Sequence, residues 1–144
     1  MESYRELKKR QQDEFDLLPI FFAFSNKQLE EGMQSFSLTM ADVDKISSIG
    51  SGGYIRKTDS KLINDLMATH DKEFAAAIDA DQTGEGFIFN MFDYELSNHE
   101  FCITGSTEDT LDAVGLDYSD IEKNPVLKKG LRMAIKEKQS VANY

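Results

Sequence analysis

The sequence predicts a mainly α fold, or α+β with two or three short strands, built as a single domain around a central antiparallel helix pair. Three observations predict it. Thr58 to Cys102 reads as helix, acidic turn, helix, with apolar residues recurring at helical spacing on both sides of the turn. Capping-box patterns recur along the chain, at Ser3 with Glu6, Ser25 with Gln28, Ser106 with Asp109 and Ser119 with Glu122. The runs that suit strands, Ile20 to Phe24, Phe36 to Leu38, Ile49 to Lys57 and Phe101 to Thr104, are all short.

The first helix opens at Ser3, and Tyr4, Leu7, Phe15 and Leu18 mark its inward edge until Pro19 stops it. Ile20 to Phe24 is either a buried strand or an extended plug into the core, since periodicity does not separate the two in so short a run. A helix over Asn26 to Gln34 buries Leu29 and Met33. Phe36 and Leu38 alternate with serines as in a brief strand, and Thr39 caps a short helix carrying Val43 and Ile46. Ile49 to Lys57 reads as a glycine-rich turn or β-hairpin; it lacks the spacing of a phosphate-binding loop and of a dinucleotide fingerprint.

In the central pair, Leu62, Ile63, Leu66, Met67, Phe74, Ala77 and Ile78 fall within one half of the first helix, with His70 in the middle of that half. On the second helix Ile88, Met91, Phe92 and Leu96 form a similar stripe, with Glu95 and His99 one turn apart along its centre. Cys102 continues that line if the helix extends so far. Beyond it, Ser106 opens a short helix ended by Gly115. Ser119 opens another turn, and Pro125 begins a last helix whose Leu127, Leu131, Ala134 and Ile135 face inward.

At 144 residues, 40% of them hydrophobic, the chain is long enough to close one core, and no linker or repeat divides residues 1–144. Sixteen basic against 26 acidic residues give a net charge of −10, which repels nucleic acid but suits docking onto a basic protein groove; the plainer reading of that charge is solubility. One cysteine excludes an intramolecular disulfide and fits a reducing compartment. No apolar run approaches the ~20 residues of a membrane span, so a cytoplasmic location is expected.

The chemistry this pattern suggests is metal binding. His70, Glu95, His99 and Cys102 are four groups of the kinds that hold zinc, and an i, i+4 pair on one helical face lets two side chains reach one ion. A carboxylate in an apolar stripe also needs a partner, and a cation is one. Glu73, at the edge of the first stripe, is a substitute ligand. The competing arrangement makes both histidines hydrogen-bonded core residues, pairs Glu95 with a lysine or a backbone group, and leaves Cys102 as a small apolar filler.

Asp79 to Asn90 resembles an EF-hand calcium loop at Asp79, Asp81, Thr83 and Gly84. It departs at Gly86 and at Asn90, which cannot supply the bidentate carboxylate, and reads better as an acidic turn. Cys102 with a histidine could serve covalent chemistry, but no catalytic motif accompanies them. No catalytic residue is therefore assigned, and an enzyme is the less favoured reading.

The segments FFAFSNKQLEEGM, SIGSGGYIRKTD, FDYELSNHEF and TLDAVGLDYSDIEKNPVLKKGL resemble small acidic proteins carried by phages and mobile elements of Gram-positive bacteria. Proteins of that size, charge and setting include anti-CRISPR inhibitors that bind Cas9. The resemblance implies a non-enzymatic binding protein that engages a nucleic-acid-handling effector such as Cas9 in the host cytoplasm. The alternatives are a small metal-dependent hydrolase with His70, Glu95 and His99 as ligands and Glu73 or Glu100 as general base, or a metal-free accessory protein.

Overall fold

A computed structural model describes residues 2–99 and 106–142. The chain builds two compact units, one from Met1–Lys9 with Lys72–Tyr144 and the other from Arg10–Asp71. Among the described residues it is mainly helical with one three-stranded antiparallel sheet, as its apolar periodicity predicts. Among the described residues no helix is long and apolar enough to cross a membrane. The predicted strand at Phe101 to Thr104 and the positions of Glu100 and Cys102 lie outside the described residues.

Two helices, α1 (Tyr4–Asp16) and α3 (Ser60–Ala80), give one half to each unit. The Arg10–Asp71 unit holds β1 (Ile20–Phe22), α2 (Asn26–Ser35), a 3-10 turn (Met40–Lys45), β2 (Ile46–Gly50) and β3 (Gly53–Arg56). The sheet order is β1-β3-β2, with Phe21 opposite Tyr54 and Ser47 opposite Ile55. Ile20 to Phe24 is thus a strand at its start, and the glycine-rich stretch is the predicted hairpin.

Alternation sends Phe21 and Ala23 to one face, where they join Met33, Ile46, Leu29, Phe36 and Tyr54. The Phe21 ring stacks on Tyr54 with 5.4 Å between centroids and meets Phe36 edge-on at 5.0 Å. Ser25 caps α2 through the Gln28 N–H, as its spacing predicts.

Three local expectations are corrected. Phe36 to Leu38 is not a strand: Ser37 takes a left-handed φ of 59° and the Leu38 N–H bonds to the Met33 carbonyl, so these residues close α2. Ile46 belongs to β2 and not to the helix after Thr39. On α3, Leu62 and Met67 are exposed, because this unit builds its core between α2 and the sheet.

The other unit is built around α4 (Phe87–Asn98), whose Phe87, Ile88, Met91, Phe92 and Leu96 are buried with Tyr4 and Leu7 of α1. Phe74, Ala77 and Ile78 of α3 pack on this cluster. The most extensive partner of α4 is the last helix, here α7 (Pro125–Ala142), which buries Leu127, Leu131 and Ala134 as predicted. Their approach is set by Gly130. A Cβ there would strike Ile88 Cγ2 and stand 2.8 Å from the Gly84 carbonyl oxygen.

Between them lie α5 (Glu108–Ala113) and α6 (Tyr118–Lys123). The cap of α6 is Asp117 and not the predicted Ser119. Asp117 and Asp120 each accept the other's backbone N–H, at 2.8 and 3.0 Å. Asn124 caps α7 by accepting from the Val126 and Leu127 N–H groups.

Candidate functional site

A carboxylate on the apolar face of a helix must be compensated, and Glu95, 1% exposed, is compensated three times. The Tyr4 hydroxyl donates to its Oε1 at 2.7 Å, and the Lys8 ammonium lies 2.8 Å from the same oxygen. His99 Nε2 stands 3.2 Å from Oε2. Thr110, also buried, donates its hydroxyl to the Glu95 carbonyl at 3.3 Å.

The helices place these groups. Tyr4 and Lys8 are one turn apart on α1, and Glu95 and His99 stand in the same relation at the end of α4, where the His99 N–H caps the helix on the Glu95 carbonyl. The Tyr4 ring is wedged between Phe87 and Tyr94, each 5.8 Å away. Arg5 and Lys8 both ride over the Tyr94 ring, at 4.7 and 5.1 Å.

Electrostatics follow from this geometry. Burial pushes the Glu95 carboxyl up, but the Lys8 ammonium, the Tyr4 hydroxyl and His99 together outweigh it and hold the group below the usual carboxylate range. The Tyr4 phenol is pushed up, by burial first and then by its bond to the Glu95 carboxylate. Its proton stays in place as a fixed donor.

Two of the predicted ligands are brought together within one unit. Glu95 and His99 meet, as their spacing indicates. His70 is buried, as predicted, in the Arg10–Asp71 unit: its Nε2 lies 3.5 Å from Glu14 Oε1 with no hydrogen-bond partner among the described residues, that Glu14 oxygen takes Arg10 at 2.8 Å, and the His70 carbonyl accepts from Gln11. Glu73 is half-buried one turn further along α3. Cys102 lies outside the described residues. The Lys8 ammonium on Oε1 balances the charge of the buried Glu95 carboxylate.

Tyr4 and Lys8 are the site residues that the sequence reading missed. The signal was present in part: Tyr4 falls on the inward edge of α1, and Lys8 repeats that face one turn later.

The acidic turn before α4 is anchored on Asp81, whose carboxylate accepts from the backbone N–H groups of Gly84, Gly86 and Ile88 at 3.0, 3.2 and 2.9 Å, and from the Thr83 hydroxyl. Burial raises this carboxyl, and the four donors more than reverse it, leaving it lowered. The oxygens that an EF-hand would aim at calcium are aimed at the loop's own backbone. Gly84 supplies the expected left-handed turn at φ 78°.

Residues 3–137 match the model of a family described as a family of unknown function, DUF7659. The chain belongs to that family. No curated protein and no solved structure matches it. The match spans both Tyr4 with Lys8 and Glu95 with His99, so the whole Glu95 cluster lies inside the family's boundaries.

Proposed function

We propose that the protein is a non-enzymatic binding protein, an inhibitor of the anti-CRISPR type from a phage or mobile element, that docks onto the basic groove of a nucleic-acid-handling effector such as Cas9 in the host cytoplasm. The observation that carries this reading is the surface of α5 and α6. Glu108, Asp109, Asp112, Asp117, Asp120 and Glu122 are all exposed there, around the exposed ring of Tyr118, with Lys123 the one basic residue of the stretch from Ser106 to Lys123. Carboxylates so arranged meet lysines and arginines that otherwise hold phosphates, and an aromatic among them supplies an anchor.

The Glu95 cluster supports the same reading from the opposite side. Both carboxylate oxygens face protein groups, Tyr4 and Lys8 on one and His99 on the other. A hydrolytic mechanism asks for an open ligand position and a base aimed at substrate. This cluster instead fastens α1 to α4, and the functional surface lies on the outside.

The test is binding to guide-loaded Cas9, measured at low and high salt. The wild type should bind and weaken as salt rises, because exposed charges are screened. A variant with Glu108→Gln, Asp109→Asn and Asp112→Asn should lose on the order of tenfold in affinity, mainly through slower association. Absence of binding, or binding indifferent to salt and to these substitutions, would overturn the reading.

A further inference from the structure

The strand β1 sends Phe21 and Ala23 into the core of its unit, so the alternation turns Phe22 and Phe24 to the opposite side. They remain 54% and 75% exposed. Both rings lie against the glycines of the β2–β3 hairpin. Gly52 has φ 80°, and a Cβ on it would collide with the Phe24 ring; a Cβ on Gly53 would stand 2.8 Å from Ile49 Cγ1 and 3.2 Å from Phe22 Cε1. The bare backbone lets Phe22, Phe24 and Ile49 draw together at one end of the sheet.

The two segments that build this end carry no charge. Leu17 to Asn26 and Ile46 to Ile55 contain no Asp, Glu, Lys or Arg, in a chain where 29% of residues are charged. Outside those stretches the Arg10–Asp71 unit carries ten acidic against six basic side chains. An exposed aromatic face inside an acidic surface is the kind of patch that marks an interface.

We propose that this face joins two copies of the chain. The charge distribution selects the occupant. A basic partner would find no carboxylate here to pair with, whereas two copies at −10 each repel over most of their surfaces and can approach closely only where charge is missing. A neutral apolar patch is complementary to itself, which is what a two-fold contact requires.

The experiment is sedimentation equilibrium of the full chain from micromolar to millimolar concentration, at low and high salt, beside Phe24→Ser and the double variant Phe22→Ser with Phe24→Ser. The wild type should pass from one to two copies, and more readily at high salt, where repulsion is screened. Phe24→Ser should raise the dissociation constant by about tenfold, as truncating an interface anchor does, with circular dichroism and melting unchanged because the ring is exposed. A wild type that stays monomeric throughout, or a dimer that both variants leave intact, overturns the proposal. Salt separates this contact from effector docking: the first strengthens with it and the second weakens.

Discussion

Lys8 of α1 and Glu95 of α4 meet at 2.8 Å although 87 positions separate them in the chain, and the Tyr4 hydroxyl closes on the same oxygen from one turn away. Because the carboxylate is buried, each donor counts. Tyr4→Phe removes a hydrogen bond to a charged acceptor and nothing else, and should lower unfolding free energy by about 1.5–3 kcal/mol. Urea unfolding measures it; a loss below about 0.5 kcal/mol, the level of an ordinary surface change, would contradict the geometry.

The pH dependence follows from the sign of the Glu95 shift. Its folded value lies below the ordinary 4.5, so its stabilising contribution is complete above that value and drains away as pH falls through the folded one. Melting temperature should therefore drop in acid below about pH 4.5, and Glu95→Gln should show a shallower drop while starting lower at neutral pH. Equal slopes for the two proteins would refute the assignment.

Asp81 holds three backbone N–H groups of the turn before α4. Asp81→Ala should destabilise by about 1–3 kcal/mol, since the buried Gly84 and Ile88 N–H groups lose their acceptor. The same construction predicts that added calcium leaves the melting temperature where it was. A rise of several degrees on calcium addition would mean the carboxylate is freer than its bonds indicate.

Gly130 faces Ile88 at the crossing of α7 and α4. Gly130→Ala gains up to about 1 kcal/mol in helix propensity but forces a methyl into Ile88 and the Gly84 carbonyl, at a cost of about 1–3 kcal/mol. Net destabilisation is expected in a melting experiment, although the same change on an open helical surface would stabilise.

Chelation provides a further check on how Glu95 is neutralised. With Lys8 in place, prolonged dialysis against a strong chelator should leave melting unchanged. A marked fall in melting temperature would support an ion held by the predicted ligands.

The helices were legible in the sequence because their signals are local. Capping residues such as Ser3 and Ser25, the 3.6-residue spacing of Ile88, Met91, Phe92 and Leu96, and Pro125 at the head of the last helix all act within one or two turns. The pairing of elements was less legible. Leu62 and Met67 carry the periodicity of a buried face, yet what buries a face is another part of the chain, and periodicity names no partner. Glu95 and His99 were found together because a helix fixes their spacing. The arrival of Tyr4 and Lys8 beside them depends on contacts across the chain that no window of sequence contains. Polar residues at inward positions say that a partner exists, and a lysine or tyrosine answers that need as well as an ion does.

The span between Tyr4 and Glu95 bears on how the molecule comes into being. During synthesis Tyr4 and Leu7 leave the ribosome long before the residues that cover them, so for most of translation the head of α1 has nowhere to settle. Closing so long a loop is entropically slow, and α1 should be among the last pieces to lock. Until it does, Glu95 is a bare negative charge in a half-built interior, and the protein is at its most vulnerable to proteolysis and misassociation in that interval.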